Sequence, residues 1–237
     1  MTWLRSLLFA ALFYLASCVL ATLYVLLLPL PRGAMMRAVK TWAQLARFGL
    51  WAICGVKVQV RGLEHLPRGR ALVAAKHQGM FDFIGPFDVL PDACFVLKKE
   101  LLKIPLFGWH ASKAKMIAVD REGHARALKD LVRTAQERLE DDRQIIIFPE
   151  GTRRAPGAAP DYKPGVAALY RELGLSCIPL ATNSGVHWPA HGLLRRPGTI
   201  VFEFLPPIPP GLKRAEFMRE LEQRIETASG ALLTAGI

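Results

Sequence analysis

Residues 117–154 read IAVDREGHARALKDLVRTAQERLEDDRQIIIFPEGTRR. An apolar triplet, Ile117-Ala118-Val119, opens the stretch, and Ile145-Ile146-Ile147-Phe148 closes it. Short apolar runs rich in β-branched residues and bounded by polar turns read as buried strands. Between them Leu128, Leu131, Val132, Ala135 and Leu139 recur at helical spacing, which predicts a helix over 122–140 with one face turned to a core. Strand, helix and strand in this order belong to an α/β layered domain, whose site residues gather at strand ends. Both strands here end in charged clusters, Asp120-Arg121 and Glu150-Gly151-Thr152-Arg153-Arg154.

Outward from this unit the pattern repeats. Residues 56–60 alternate with period two, 71–75 form a short apolar run, and Cys94-Phe95-Val96-Leu97 and residues 178–181 are further strand candidates. Residues 199–204 give a last strand, closed by the stiff Pro206-Pro207-Ile208-Pro209-Pro210. Phe217, Leu221, Ile225, Ala228 and Leu232 mark a C-terminal helix. The fold expected for 56–237 is an α/β layered sheet with flanking helices.

Residues 1–55 differ. No charge occurs from Ser6 to Pro31, 26 residues, enough to cross a hydrocarbon core of about 30 Å as a helix. Leu15-Ala16-Ser17-Cys18 has the form of a lipoprotein cleavage box, but the apolar run continues unchanged through 19–30, which a mature lipoprotein has no use for. A retained membrane-anchoring helical segment is the expectation. Arg32, Arg37, Lys40 and Arg47 follow the run and only Arg5 precedes it, which predicts that the rest of the chain lies on the cytoplasmic side of the membrane. Residues 48–56 form a second apolar stretch, too short to span, suited either to the interface or to a core.

The chain has 237 residues, 51% of them hydrophobic, which excludes a disordered chain. Lys and Arg number 31 against 20 Asp and Glu, a net charge of +11. The first 50 residues hold five basic groups and no acidic one, so 26 against 20, or +6, remain beyond them. Basicity beside the most apolar segment points to anionic membrane lipids as a partner and away from nucleic acid. Cys18, Cys54, Cys94 and Cys177 are scattered, read as reduced thiols, and no metal-ligand spacing is present. His187 and His191 are four apart, but Pro189 between them argues for a loop.

Lys76-His77-Gln78-Gly79-Met80-Phe81-Asp82 follows the strand at 71–75. His77 and Asp82, five apart, share a face in neither helix nor strand, so only a turn brings them together, and Gly79 is there to make one. A carboxylate on one imidazole nitrogen leaves the other as a base. In the second cluster a glycine turn with guanidinium groups suits a phosphate, although a loop with an internal Glu–Arg pair has the same composition. Lys98 to Trp109 combines cations with an apolar face. It suits an anionic head group with its tail, or an amphipathic surface helix ended by Pro105.

In order, these clusters resemble the glycerolipid acyltransferase family. His77-x4-Asp82 matches its HX4D signature, and Phe148 to Arg153 matches F-P-E-G-T-R at every position. Lys98 to Gly108 resembles K-K-x-L-x-x-I-P-x-x-G, Ile117 to Arg121 the I-x-I-D-R block, and Ile178-Pro179-Leu180 the final V-P-hydrophobic block. Gly79 stands where the family often has Ser, and Lys115 and Ala118 replace a usual Gly and aromatic. The resemblance implies that His77, oriented by Asp82, is the general base. It implies that Arg121, Glu150, Gly151, Thr152 and Arg153, with Lys99, bind the substrate phosphate. The expected reaction carries an acyl group from acyl-CoA or acyl carrier protein to the sn-2 hydroxyl of 1-acyl-sn-glycerol 3-phosphate (lysophosphatidic acid), giving phosphatidic acid, with no cofactor and no metal. Related acceptors (lyso-ornithine lipid, glycerol 3-phosphate, other lysophospholipids) form the alternative, and a non-catalytic lipid-binding protein the rival class.

Overall fold

The computed structural model describes residues 1–120 and 123–234. Within them β1 (Val56–Arg61), β2 (Ala71–Ala75), β3 (Ala93–Lys98), β4 (Ile117–Val119), β5 (Gln144–Ile147), β6 (Cys177–Thr182) and β7 (Gly198–Phe204) share one sheet, in the order β1-β7-β6-β2-β5-β3-β4. β7 runs antiparallel to β6, and every other neighbouring pair is parallel. The C-terminal ends of β2, β3, β4, β5 and β6 therefore lie along one edge of the sheet. β2 is buried throughout because both faces are covered: Ala71, Val73 and Ala75 enter one core, Leu72 and Ala74 the other. That is why its sequence is continuously apolar and does not alternate.

The first face is covered by α1 (Thr2–Leu23), α2 (Arg32–Cys54) and α3 (Phe81–Val89). The second is covered by α5 (His124–Leu139), α6 (Gly165–Leu173) and α8 (Arg214–Thr234). Two short helices, α4 (Phe107–Lys113) and α7 (Ser184–His187), join these layers. Each expected strand is present within a residue of its expected limits. The α5 stripe is narrower than the spacing predicts, since Leu131, Ala135 and Leu139 are buried while Leu128 faces solvent. The segment after β3 is a 3-10 turn, Lys99–Lys103, and not an α-helix. Pro105 explains it: the residue before a proline is driven out of the α region, and Ile104 is extended at φ −73°, ψ 121°.

The uncharged N-terminal run is not one straight rod. α1 passes into a 3-10 turn at Tyr24–Leu27, and Pro29 and Pro31 stop it, since neither ring can continue the helical hydrogen bonding. α2 then returns antiparallel along α1: Trp42 Nε1 donates to Ser17 Oγ at 3.0 Å, and Gly49 lies against Phe9. It ends at Gly55, left-handed at φ 69°, and β1 begins with the next residue. Thr2–Leu27 is long and apolar enough to cross a membrane, with mean hydropathy 2.2. One face of α1, Ser6, Phe9, Ala10 and Phe13, nevertheless belongs to the protein core. The opposite face, including Leu4, Leu7, Leu8, Leu12 and Leu15, is bare and apolar, a surface for membrane association. In the stretch 48–56, Phe48 and Trp51 are exposed and pack on each other, while Leu50, Cys54 and Val56 are core.

Two of the four cations after the apolar run are held by carboxylates. Arg47 pairs with Asp88 at 3.0 Å, and Arg32 grips both oxygens of Asp92 at 2.9 and 2.7 Å. Asp92 also accepts from Nε of the fully buried Arg143 at 3.1 Å, whose other nitrogens reach the Lys115 and Ala93 carbonyls. Asp92 thus ties the start of α2 to the start of β5. Asp92→Ala leaves a buried guanidinium without its carboxylate. It should cost about 2–3 kcal/mol, less than a fully buried pair because Asp92 is partly exposed, and lower Tm by roughly 4–12 °C in a thermal melt.

Candidate active site

β2 delivers the chain to the C-terminal edge of the sheet, and the residues beyond it continue the strand's alternation. Lys76 turns toward α8, His77 toward the opposite side, where its ring stacks on Phe148 at 3.9 Å and 13°. The chain then folds back through Gln78 and Gly79 into α3. Asp82, in the first turn of α3, reaches back over that turn. Its Oδ2 accepts the Gln78 N–H at 2.6 Å and the Gly79 N–H at 2.8 Å, and lies 3.2 Å from His77 Nδ1. The expected pairing of His77 with Asp82 is present, made by a turn as the five-residue spacing requires. Asp82 is 1% exposed, and these donors replace the water lost at Oδ2, while Oδ1 is buried without a hydrogen-bond partner. An oxygen that already collects two N–H donors fixes the nearer imidazole nitrogen as a third donor. Nε2 then keeps its lone pair, and the His77 side chain is 16% exposed, open to a reactant.

Gly79 has a specific reason to be glycine. A Cβ there would lie 2.3 Å from the Trp188 carbonyl oxygen, so a serine has no room at this position.

β5 runs beside β2 and brings the Phe148 to Arg154 turn against His77. Gly151 is left-handed at φ 65°, which turns the chain so that the Arg154 N–H donates to the His77 carbonyl at 2.8 Å. Thr152 and Arg153 project outward, and Arg153 Nη1 touches the Ala190 carbonyl at 3.4 Å. Arg154, the second guanidinium of the cluster, pairs with Asp161 at 2.7 Å.

Glu150 requires a correction. The sequence reading groups it with the phosphate-holding residues, yet both its oxygens face inward. Oε1 accepts from Lys76 Nζ at 2.8 Å, and Oε2 accepts the His77 N–H at 3.2 Å. A buried carboxylate engaged in this way has no face for a phosphate, which it would repel. Burial pushes its pKa up, and the hydrogen bond and charge of Lys76 pull it back down. Lys76 also donates to Glu226 at 2.7 Å, and Tyr162 donates to the same Glu226 oxygen at 2.9 Å. Glu226 lies 150 positions from Lys76, on α8, and no local sequence signal marked it. Lys76 itself gave one, as a cation at the end of an otherwise apolar strand. Behind this network a cavity of about 680 Å³ opens between α8 and residues 157–160, with Lys76 and Gln78 in its wall.

Lys99 is exposed at the end of β3 and sits 3.6 Å from Asp120 at the end of β4. Arg121 falls outside the described residues. Among the described residues no group of three or more His, Cys, Asp or Glu is placed to hold a metal ion. His187 and His191 do not converge. His187 closes α7 with Nδ1 3.0 Å from the Arg196 carbonyl, and His191 lies in the loop beyond.

Comparison with known proteins places this geometry among relatives. A family model described as Acyltransferase matches residues 57–183. The 1-acyl-sn-glycerol-3-phosphate acyltransferase of Pseudomonas aeruginosa is 35% identical over 231 residues, covering 94% of this chain and 88% of that protein. The alpha form of the enzyme of that name from Mus musculus is 32% identical over 158 residues, 65% of this chain and 55% of that one. In fold, the chain is similar to the crystal structure of the 1-acyl-sn-glycerophosphate (LPA) acyltransferase PlsC from Thermotoga maritima, with TM-score 0.80 and 23% identity over 98% of both chains.

Lys76→Met strands the Glu150 carboxylate in the interior. The loss should be about 3–5 kcal/mol at neutral pH. Without Lys76 the Glu150 pKa rises further, so the folded state binds a proton more readily than the unfolded state. The stability gap between variant and wild type should therefore narrow as pH falls from 7 to 5 in denaturant titrations, and a gap constant with pH would contradict this placement.

Proposed function

The chain belongs to the acyltransferase family, and from that membership and the His77–Asp82 pair we propose that it moves a fatty acyl group from a thioester to the sn-2 hydroxyl of 1-acyl-sn-glycerol 3-phosphate. The observation that carries the reading is the geometry at Asp82, whose bonds to Gln78, Gly79 and His77 leave Nε2 of His77 exposed and basic. Nε2 takes the hydroxyl proton as the oxygen attacks the thioester carbon. A C–O bond forms, the C–S bond breaks, and the proton returns from His77 to the departing thiolate. Asp82 stabilises the imidazolium in between. Attack is direct, with no acyl group resting on the protein.

Arg153, with the backbone and hydroxyl of Gly151 and Thr152, holds the acceptor phosphate, and Arg121 and Lys99 add positive charge for it. Fixing the phosphate makes the attack effectively intramolecular, an advantage that reaches several kcal/mol in well-oriented systems. Glu150 serves the same end from behind, by holding the His77 backbone. The donor thiol belongs to coenzyme A or to an acyl carrier protein. Acceptor and product both reside in a bilayer, which suits the bare apolar face of α1. The cations of α2 favour the cytoplasmic side of an inner membrane and its anionic lipids.

Transfer assays with the protein in vesicles, across lysophosphatidic acid, glycerol 3-phosphate, lyso-ornithine lipid and other lysophospholipids, test the reading. Lysophosphatidic acid should give the highest kcat/KM, and His77→Ala should lower turnover by about 10²–10⁴-fold with expression intact. More than half of wild-type turnover in that variant would overturn the mechanism. Arg153→Lys keeps the charge but loses the two-pronged grip on phosphate, so acceptor KM should rise roughly 10- to 150-fold while donor KM stays in place. An unchanged acceptor KM with reduced stability would make Arg153 a structural residue.

A further inference from the structure

Trp188, 2% exposed, lies between the N-terminal helix and the turn that carries the catalytic pair. On one side its indole meets the rings of Phe9 and Phe13 edge to face, with centroids 5.3 and 5.4 Å away. On the other it stacks with Phe81 at 5.9 Å. Phe81 is the residue before Asp82. The Trp188 carbonyl occupies the space where a Cβ of residue 79 would be, so the backbone of Gly79, a donor to Asp82, rests directly on it. Trp188 therefore bears on the catalytic turn at two positions, Gly79 and Phe81, both between His77 and Asp82.

A second tie joins the same parts. Ser6 of α1 is fully buried and accepts the Arg195 N–H at 2.8 Å, while its hydroxyl donates to the Thr2 carbonyl at 2.8 Å and lies 3.3 Å from the Arg195 carbonyl. The Arg195 guanidinium lies 4.4 Å from the centre of the Trp188 ring. Ser6, Phe9 and Phe13 are spaced to share one helix face, and Leu4, Leu7, Leu8 and Leu12 lie bare. The helix thus has an outward face for lipid and an inward face built into the support of the turn.

Resting on the acyltransferase reading, we infer that Trp188 is a positioning residue, through which the inward face of α1 holds His77 and Asp82 in reacting geometry. The bond it protects is sensitive. At 3.2 Å, His77 Nδ1 to Asp82 Oδ2 is at the long end of hydrogen-bond range, and a small shift of the turn breaks it. Misplacement by about 1 Å is enough to cost on the order of 10²-fold in rate.

The test uses the full chain in detergent micelles with a short-acyl, water-soluble lysophosphatidic acid, so that delivery by a membrane plays no part. Phe9→Ala with Phe13→Ala should lower kcat at least about 10-fold while both KM values move less than about 2-fold. Trp188→Ala should do the same, and Trp188→Phe, which keeps a ring in place, should recover most of the loss. Leu4→Ser with Leu8→Ser should reduce vesicle binding and leave kcat in micelles within about 2-fold of wild type. The NMR resonance of the His77 Nδ1 proton should show its hydrogen bond in wild type and lose it in the Phe9/Phe13 variant. Wild-type kcat and an unchanged resonance in that variant would overturn the inference, as would an equal loss of kcat in the outward-face variant. A wild type that transfers no acyl group to any acceptor would defeat the activity reading instead, and the Nδ1 resonance would then decide the positioning role.

Discussion

A single carboxylate oxygen organises this site. Oδ2 of Asp82 gathers the N–H groups of Gln78 and Gly79 and faces His77 Nδ1, all within 3.2 Å. An uncompensated buried carboxylate would cost several kcal/mol, and hydrogen bonds to a charged group return about 1.5–3 kcal/mol each. The tight turn is therefore the condition on which the charge can be buried. The charge, in return, sets the orientation of the imidazole. Stacking on Phe148 fixes the ring plane, and Asp82 fixes its rotation within that plane.

The end of β2 separates two jobs by strand alternation. His77 points to the side of Phe148 and Asp82, and Lys76 points to the side of α8, where it neutralises Glu150. Glu150 connects the two, because its second oxygen holds the His77 N–H. A glutamate in the F-P-E-G-T-R turn thereby supports His77 from behind, while Thr152 and Arg153 of the same turn stay outside, where a phosphate can reach them. This division follows from burial: a side chain cannot both neutralise an interior lysine and face an incoming ligand.

The layered fold and the pairing of His77 with Asp82 were legible because short-range patterns carry them. Apolar runs such as 145–147, helical spacing such as Leu131-Ala135-Leu139, and the five-residue gap between His77 and Asp82 each constrain structure within a few turns of chain. Partners distant in sequence were not legible. Nothing near Glu226 indicates that it meets Lys76, and nothing near Trp188 indicates that it rests on Gly79. The role of Glu150 was misread for a related reason, since a motif shows which residues cluster but not which way each side chain turns. The N-terminal run was legible as apolar, but Ser6, Phe9 and Phe13 look like any other residues of an anchor until the loop around Trp188 and Arg195 is in place.

The central claim is that His77 acts as a base on the acceptor and never carries the acyl group. The direct measurement is release of free thiol when the enzyme is mixed rapidly with an acyl thioester in the absence of acceptor. The account predicts no burst, because without a hydroxyl at Nε2 nothing attacks the thioester. A burst equal to the enzyme concentration, with acyl group recovered on the protein, would contradict it.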